Sequence, residues 1–209
     1  MSWEFEKEAG HKGFNAIAGV DEAGRGPLAG PVVSASVILP FSFVDDDITD
    51  SKKLTPKKRD RLHEKIYEEA VSIGVGIVES DEIDQTNILK ASLRSMLLAV
   101  NDMDIQPDFL LIDGKFAIPF LNLPQKPIIK GDALSISISA ASIIAKVTRD
   151  RIMAGYHQIY PQYGFSGHKG YPTKAHKAAV KEFGPCPIHR RTFRGVKEFV
   201  DPLFTDKER

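Results

Sequence analysis

The chain has a single cysteine, Cys186, which excludes an internal disulfide and any cysteine-rich metal site. No stretch approaches the ~18 consecutive apolar residues of a membrane-spanning helix. The opening Met1-Ser2-Trp3-Glu4-Phe5-Glu6-Lys7-Glu8 is too charged for a secretory signal. A cytoplasmic location with no membrane partner is the expectation. There is no surplus of charge either, since 28 Lys and Arg balance 28 Asp and Glu, so no whole-molecule field draws the protein to a polyanion. Any affinity for nucleic acid must come from a local basic face. Internal repeats, low-complexity tracts and long linkers are also missing. What remains, 42% hydrophobic and 27% charged over 209 residues, is an ordinary globular chain able to bury a sizeable core.

The patterns that are present alternate between strand and helix. Phe14 to Val20 is an apolar run predicting a buried strand that ends in Asp21-Glu22. Val33, Ala35, Val37 and Leu39 alternate as a second strand does, and Ile73, Val75 and Ile77 suggest a third. Thr55-Pro56 reads as a helix cap followed by proline at the first helical position, with Leu62, Ile66 and Ala70 on one face. Leu89, Leu93, Met96, Leu97 and Val100 have helical spacing, and Phe109 to Ile112 is a strand ending in Asp113-Gly114. A long helix is predicted from about Ile138 to Tyr160 and a short one from about Thr173 to Phe183. This mingling predicts one α/β domain over residues 1–209, with 161–209 as a basic C-terminal elaboration.

Two apolar strands ending in carboxylates are the first chemical clue, because ligands of an α/β sheet gather beyond its strand ends. Asp113-Gly114 alone is an ordinary turn. Asp21-Glu22 is harder to dismiss, since adjacent strand residues point to opposite faces and one acid would face the interior unless the backbone bends. Ala23-Gly24-Arg25-Gly26-Pro27 can supply that bend. Clustered carboxylates call for a positive partner, either a hard divalent cation or a neighbouring base such as Arg25. Asp132 in Lys130-Gly131-Asp132 is a fourth candidate that alone passes as a turn residue. Asp150, four residues after Lys146, reads as an ion pair on a helix face.

The segment Gly19-Val20-Asp21-Glu22-Ala23-Gly24-Arg25-Gly26-Pro27-Leu28-Ala29-Gly30-Pro31-Val32-Val33 closely resembles the signature of the ribonuclease HII family. Further matching blocks follow in order: Asp50 to Leu54, Asn87 to Leu89, Leu111 to Gly114, Ser139 to Val147, His168 to Tyr171 and His189 to Phe193. They span about Ala18 to Val196. The resemblance implies a ribonuclease H-like fold, a central mixed β-sheet flanked by helices with a C-terminal helical extension. It implies that Asp21, Glu22, Asp113 and Asp132 are the catalytic acids, holding two divalent cations, Mn²⁺ or Mg²⁺. The implied reaction is hydrolysis of the RNA strand of RNA–DNA hybrids, and 5′ of ribonucleotides embedded in duplex DNA, leaving 5′-phosphate and 3′-hydroxyl ends. That places it in ribonucleotide excision during replication and repair. The loop Gly24, Arg25 and Gly26, with Tyr171, is implied to recognise ribose.

The local basic face is the tail, where Lys169, Lys174, Lys177, Lys181, Arg190, Arg191, Arg194 and Lys197 crowd together. Ser51, Lys52 and Lys53 fall inside a family block and are expected at substrate, as are Lys169, Arg190 and Arg191. Lys57 and Lys58 fit a solvated face equally well. The spacing of His168, His176 and His189 fits no zinc pattern, and they read as polar contacts or caps. Phe199 to Phe204 shows no sliding-clamp-binding peptide, and a monomer is expected. Two rivals stand beside this reading. One is a DNA junction resolvase of the same fold, disfavoured by the Gly-Arg-Gly block and Tyr171. The other is a non-catalytic nucleic-acid-binding module, disfavoured by the four acids.

Overall fold

The alternating apolar segments assemble into one mixed sheet. In the computed structural model, which describes residues 1–45, 47, 48, 51 and 54–200, the helices are α1 (Glu4–His11), α2 (Pro56–Glu69), α3 (Ser80–Gln85), α4 (Ile88–Asn101), α5 (Ile136–Ile159), α6 (Phe165–His168) and α7 (Lys174–Phe183). The strands are β1 (Ile17–Ala23), β2 (Val32–Ile38), β3 (Ser72–Val78), β4 (Phe109–Asp113) and β5 (Gln125–Ile128), in the order β3-β2-β1-β4-β5. β1 is antiparallel to β2 and parallel to β4, β2 is antiparallel to β3, and β4 is parallel to β5. Lys52 and Lys53, and most of the Phe199 to Phe204 segment, lie outside the described residues. No helix among the described residues is long and apolar enough to cross a membrane.

The pleat of β1 sorts its side chains between two cores. Ala18 and Val20 join Met96, Val100, Leu110 and Ile112 under α4. Ile17 packs with Leu111 and Ile138 on the opposite side, and Ala23 packs against the α5 cluster. Gly19 lies on that second side, and a Cβ there would collide with the backbone of Ser137 and Ile138. The absent side chain lets the first turn of α5 press directly on β1. α5 itself is buried continuously from Ile136 to Ala145, serines included, so its start is embedded in the molecule. Its N-cap is Ser135, and Glu6 of α1 accepts from both the amide and the hydroxyl of Ser137 at 3.1 and 2.7 Å. A carboxylate at a helix N-terminus completes donors that lack intrahelical partners.

Thr55 caps α2 as expected, accepting from the Lys58 amide, with Pro56 at the first position. Three sequence expectations need correction. β1 does not stop at Asp21 but runs through Ala23, so the chain bends only at Gly24, where φ is +105°. In β3 the alternating Ile73, Val75 and Ile77 occupy the less buried side. The covered side is Ser72, Gly74, Gly76 and Val78, with glycine at its centre because the backbone of α4 at Ala99 and Ser95 leaves no room for a side chain at 74 or 76. The apolar stripe of α4 is likewise rotated, with Ala91, Ser92, Ser95 and Ala99 buried beside Met96 and Val100 while Leu89, Leu93 and Leu97 are only half-buried. Close helix–sheet approach selects small residues for the interface and relegates the larger ones to its margin.

Candidate active site

Parallel pairing of β1 with β4 sets Val20 opposite Ile112, so the next residues stand side by side, Asp113 at the carboxyl end of β4 and Asp21 two residues before the end of β1. Both fall on the face that α5 covers, opposite in pleat to Val20 and Ile112. Asp113 then fixes the fourth acid. Its Oδ1 accepts the amides of Gly131 at 2.7 Å and Asp132 at 3.4 Å, at the 3-10 turn Gly131–Ala133 that leads into α5. The turn is entered through Lys130 in the left-handed region, φ +60°, an uncommon conformation for a residue with a side chain. Glu22 has the opposite pleat from Asp21 and pairs with Arg25 at 3.3 Å, the base anticipated as an alternative partner. Its amide donates to Asp21 Oδ1 at 2.7 Å.

Asp21 is only 5% exposed. Burial pushes its carboxyl pKa well above the usual range, the charges of Glu22 and Asp113 push it further, Asp132 adds to this, and the Glu22 amide opposes it. Four carboxylates therefore act on one another at one end of the sheet. Among the described residues no three such side chains are already drawn together tightly enough to enclose an ion. A buried carboxylate raised by like charge is a group whose ionised form needs an incoming cation, and oxygen donors of this kind suit Mg²⁺ or Mn²⁺.

Immediately after Ala23 the chain turns into the loop 24–31, and two buried arginines hold it. Arg190 donates to the carbonyls of Gly24 (2.5 Å), Arg25 (3.0 Å), Pro27 (2.9 Å), Gly30 (2.9 Å) and Pro31 (3.2 Å). Arg149 donates to Pro31 (2.9 Å), Ala29 (3.1 Å) and Lys169 (3.0 Å). Gly24 lies against the Arg149 side chain where a Cβ would have no space. Arg25 and Gly26 are exposed, and a Cβ on Gly26 would sit 3.8 Å from Cε1 of Tyr171. Tyr171 is 40% exposed, with Lys146 Nζ 5.8 Å and the Arg149 guanidinium carbon 6.0 Å from its ring centre. It follows Lys169, held at φ +51°, and Gly170, where a Cβ would meet the Ala29 carbonyl. Lys169 and Tyr171 line a cleft of about 620 Å³ with Arg59, Lys146 and Arg151.

The structure thus brings Asp21, Glu22, Asp113 and Asp132 to one strand end, with Gly24, Arg25, Gly26 and Tyr171 adjoining. Lys169 borders the cleft and Arg191 is exposed, its amide donating to Asp84 at 2.7 Å. Arg190 departs from its expected place at substrate: it is 0% exposed and its guanidinium is spent on loop carbonyls. Ser51 is also turned inward, accepting from Ser142 Oγ of α5 at 2.6 Å. Asp150 pairs with Lys146 at 2.7 Å, as its spacing predicted. Arg149 was not singled out in the sequence, although a basic residue within an otherwise buried helix segment was the available signal.

Sheet, acid cluster and glycine-rich loop together define a phosphodiester hydrolase of the ribonuclease H-like class. Residues 18–196 match the family model described as Ribonuclease HII, and the chain belongs to the ribonuclease HII family. It is similar to ribonuclease HII of Syntrophus aciditrophicus (strain SB), with 60% identity over 190 residues covering 91% of this chain and 89% of that protein. Its fold is similar to the ribonuclease H2 of Pyrococcus horikoshii OT3, with a TM-score of 0.74 and 31% identity, covering 88% of this chain and 97% of that one. It is also similar to the ribonuclease HII of Archaeoglobus fulgidus solved in complex with PCNA (TM-score 0.68, 26% identity, 86% and 96% coverage). The chain is accordingly an endoribonuclease acting on RNA in RNA–DNA hybrids.

Proposed function

We propose that this enzyme also incises duplex DNA 5′ of single embedded ribonucleotides, leaving 5′-phosphate and 3′-hydroxyl ends, and that Asp21, Glu22, Asp113 and Asp132 serve two Mg²⁺ or Mn²⁺ ions. The observation that carries the reading is the adjacency of the acid cluster to an exposed glycine loop and Tyr171. Bound at such a site, a pair of divalent ions supplies an activated water and neutralises the charge growing on the leaving 3′-oxygen. The protein's own part is positional. Asp113 fixes the Asp132 turn through backbone amides, while buried Asp21 offers a poorly hydrated carboxylate. The ribose 2′-hydroxyl both donates and accepts hydrogen bonds, and it alone distinguishes RNA from DNA at one nucleotide. Gly26 admits close backbone approach beside the Tyr171 hydroxyl-bearing ring, so loop and phenol together can grip that group. We further propose that the enzyme acts as a cytoplasmic monomer without a clamp-binding peptide, although its Archaeoglobus relative was solved in complex with PCNA.

The test compares a duplex carrying one ribonucleotide with one carrying a continuous RNA strand, for the wild type and Tyr171→Phe. Removing a polar interaction of about 1–3 kcal/mol from the transition state slows single-ribonucleotide cleavage roughly tenfold to a hundredfold at unchanged Tm. Wild-type activity in the Phe variant overturns the assignment and leaves Tyr171 as packing.

A further inference from the structure

Among the described residues Arg149 and Arg190 head the largest fully buried side chains, and neither takes part in a salt bridge there. Burying a guanidinium without a carboxylate is costly, and an apolar side chain of similar volume generally serves stability as well or better. Burial lowers the pKa of Arg190 to about 9, still well above neutrality, so the charge persists. Both cations are instead solvated by backbone carbonyls of the loop 24–31 and of Lys169.

The orientation of those carbonyls has a geometric consequence. In a trans peptide the C=O and N–H point in opposite directions, and the peptide bonds of the described residues, this loop included, are all trans. The Gly24 carbonyl faces Arg190, which turns the Arg25 N–H away from the interior. The Arg25 carbonyl also faces Arg190, which turns the Gly26 N–H outward too. The third Arg149 bond, to Lys169, lies two residues before Tyr171 and ties that segment to Ala29 and Pro31 of the loop. A single guanidinium thus sets how far Tyr171 stands from Gly26.

We propose that Arg149 and Arg190 are positioning residues for ribose selection: they turn the amides of Arg25 and Gly26 toward the substrate and hold Tyr171 at a fixed distance from them. This rests on the reading that loop and Tyr171 meet the ribose. Neither arginine touches substrate. A lysine at either place keeps the charge but loses the planar fork that reaches several carbonyls at once.

The experiment measures the affinity of wild type, Arg190→Lys and Arg149→Lys, with Ca²⁺ in place of an activating metal, for a duplex containing one ribonucleotide and for the same duplex as DNA throughout. Both lysine variants are expected to keep all-DNA affinity within about twofold and to lose about tenfold of the discrimination between the duplexes, with kcat falling more than KM rises on the cleavable substrate. Wild-type discrimination in a folded lysine variant overturns the proposal. If a lysine variant does not fold, amide exchange in the wild type decides: Arg25 and Gly26 amides must be slowed by the ribonucleotide duplex and not by the all-DNA duplex. Absence of that difference also overturns it. Failure of the wild type to discriminate at all sinks instead the reading that loop and Tyr171 recognise ribose, so the two failures are told apart.

Discussion

The two polar regions that flank the loop 24–31 are buried alike and satisfied differently. At the strand ends, Asp21 lies among like charges, which together with burial resist its ionisation. Behind the loop, His176 and His189 are as deeply buried, yet their nitrogens form a closed chain. His176 Nδ1 lies 2.9 Å from the Tyr171 carbonyl and must donate to it, so its Nε2 accepts from His189 Nε2 at 3.0 Å. His189 Nδ1 is then free to accept the Cys186 amide at 3.0 Å. Each ring proton has one place, and both rings stay neutral, their pKa values lowered by burial to about 4 and about 3. The acid region gathers like charge that, with burial, opposes ionisation of Asp21; the histidine region carries no charge at neutral pH. That contrast separates a place for chemistry from a scaffold more sharply than burial or polarity does.

The most severe way to break the comparison is to neutralise an acid. Asp113→Asn is expected to lower cleavage by roughly 10³-fold or more while leaving hybrid binding nearly intact. Asp21→Asn is expected to do the same to cleavage and to raise Tm in chelator, because it removes a buried charge opposed by its neighbours. Asp21 has a folded pKa above its unfolded one, so ionisation at neutral pH costs stability and protonation at lower pH restores it. Near-wild-type turnover in either variant removes the assignment of these acids to the reaction, and a lower Tm for Asp21→Asn in chelator removes the premise that like charge and burial oppose ionisation of Asp21.

How much of this was legible in the sequence follows from the range of the interactions. Strand and helix periodicity revealed β2, β4, α2, α5 and α7, and the acids at the ends of β1 and β4 pointed to the site. Sequence order could not reveal that β1 and β4 are adjacent and parallel, which is what sets Asp21 beside Asp113. α1 escaped notice because its apolar face is short, and β5 because Gln125-Lys126-Pro127-Ile128 carries no strand pattern. Arg190 misled because a basic residue in a basic tail reads as a phosphate contact. Only the converging carbonyls of a loop some 160 residues earlier reveal its other use.

A milder break concerns the exposed surface of the scaffold. Lys174, Lys177 and Lys181 lie on the outer face of α7, opposite buried His176, Ala179 and Val180. Truncating the chain from Gly184 would not isolate this face, since Cys186, Ile188, His189 and Arg190 beyond it are buried. Replacing the three lysines by alanine is expected to leave Tm unchanged and to weaken hybrid binding chiefly at low salt. Each phosphate that a lysine no longer neutralises flattens the plot of log affinity against log salt by about 0.9. An unchanged slope would mean that this face is merely solvated.

The smallest effect, and the sharpest on the comparison itself, is in the response to acid. A histidine whose folded pKa is depressed is neutral in both states above about pH 6.5, so its contribution to stability is complete there. Between pH 6.5 and about 4 the unfolded chain takes up a proton that His176 and His189 refuse, and stability is lost as the pH falls. His63, lowered by burial to about 4, acts in the same direction. Asp21 acts in the opposite one, because burial and its like-charged neighbours raise its folded pKa, so that its protonation as the pH falls favours the fold. The wild type in chelator is therefore expected to lose Tm between pH 7.5 and pH 5, the loss from the histidines being partly offset by Asp21. Asp21→Asn removes the opposing contribution, so its loss over that interval must exceed that of the wild type by a measurable margin. A loss equal to or smaller than the wild-type loss would mean that Asp21 is not held against ionisation as the acid cluster implies, and the contrast between the regions would fall.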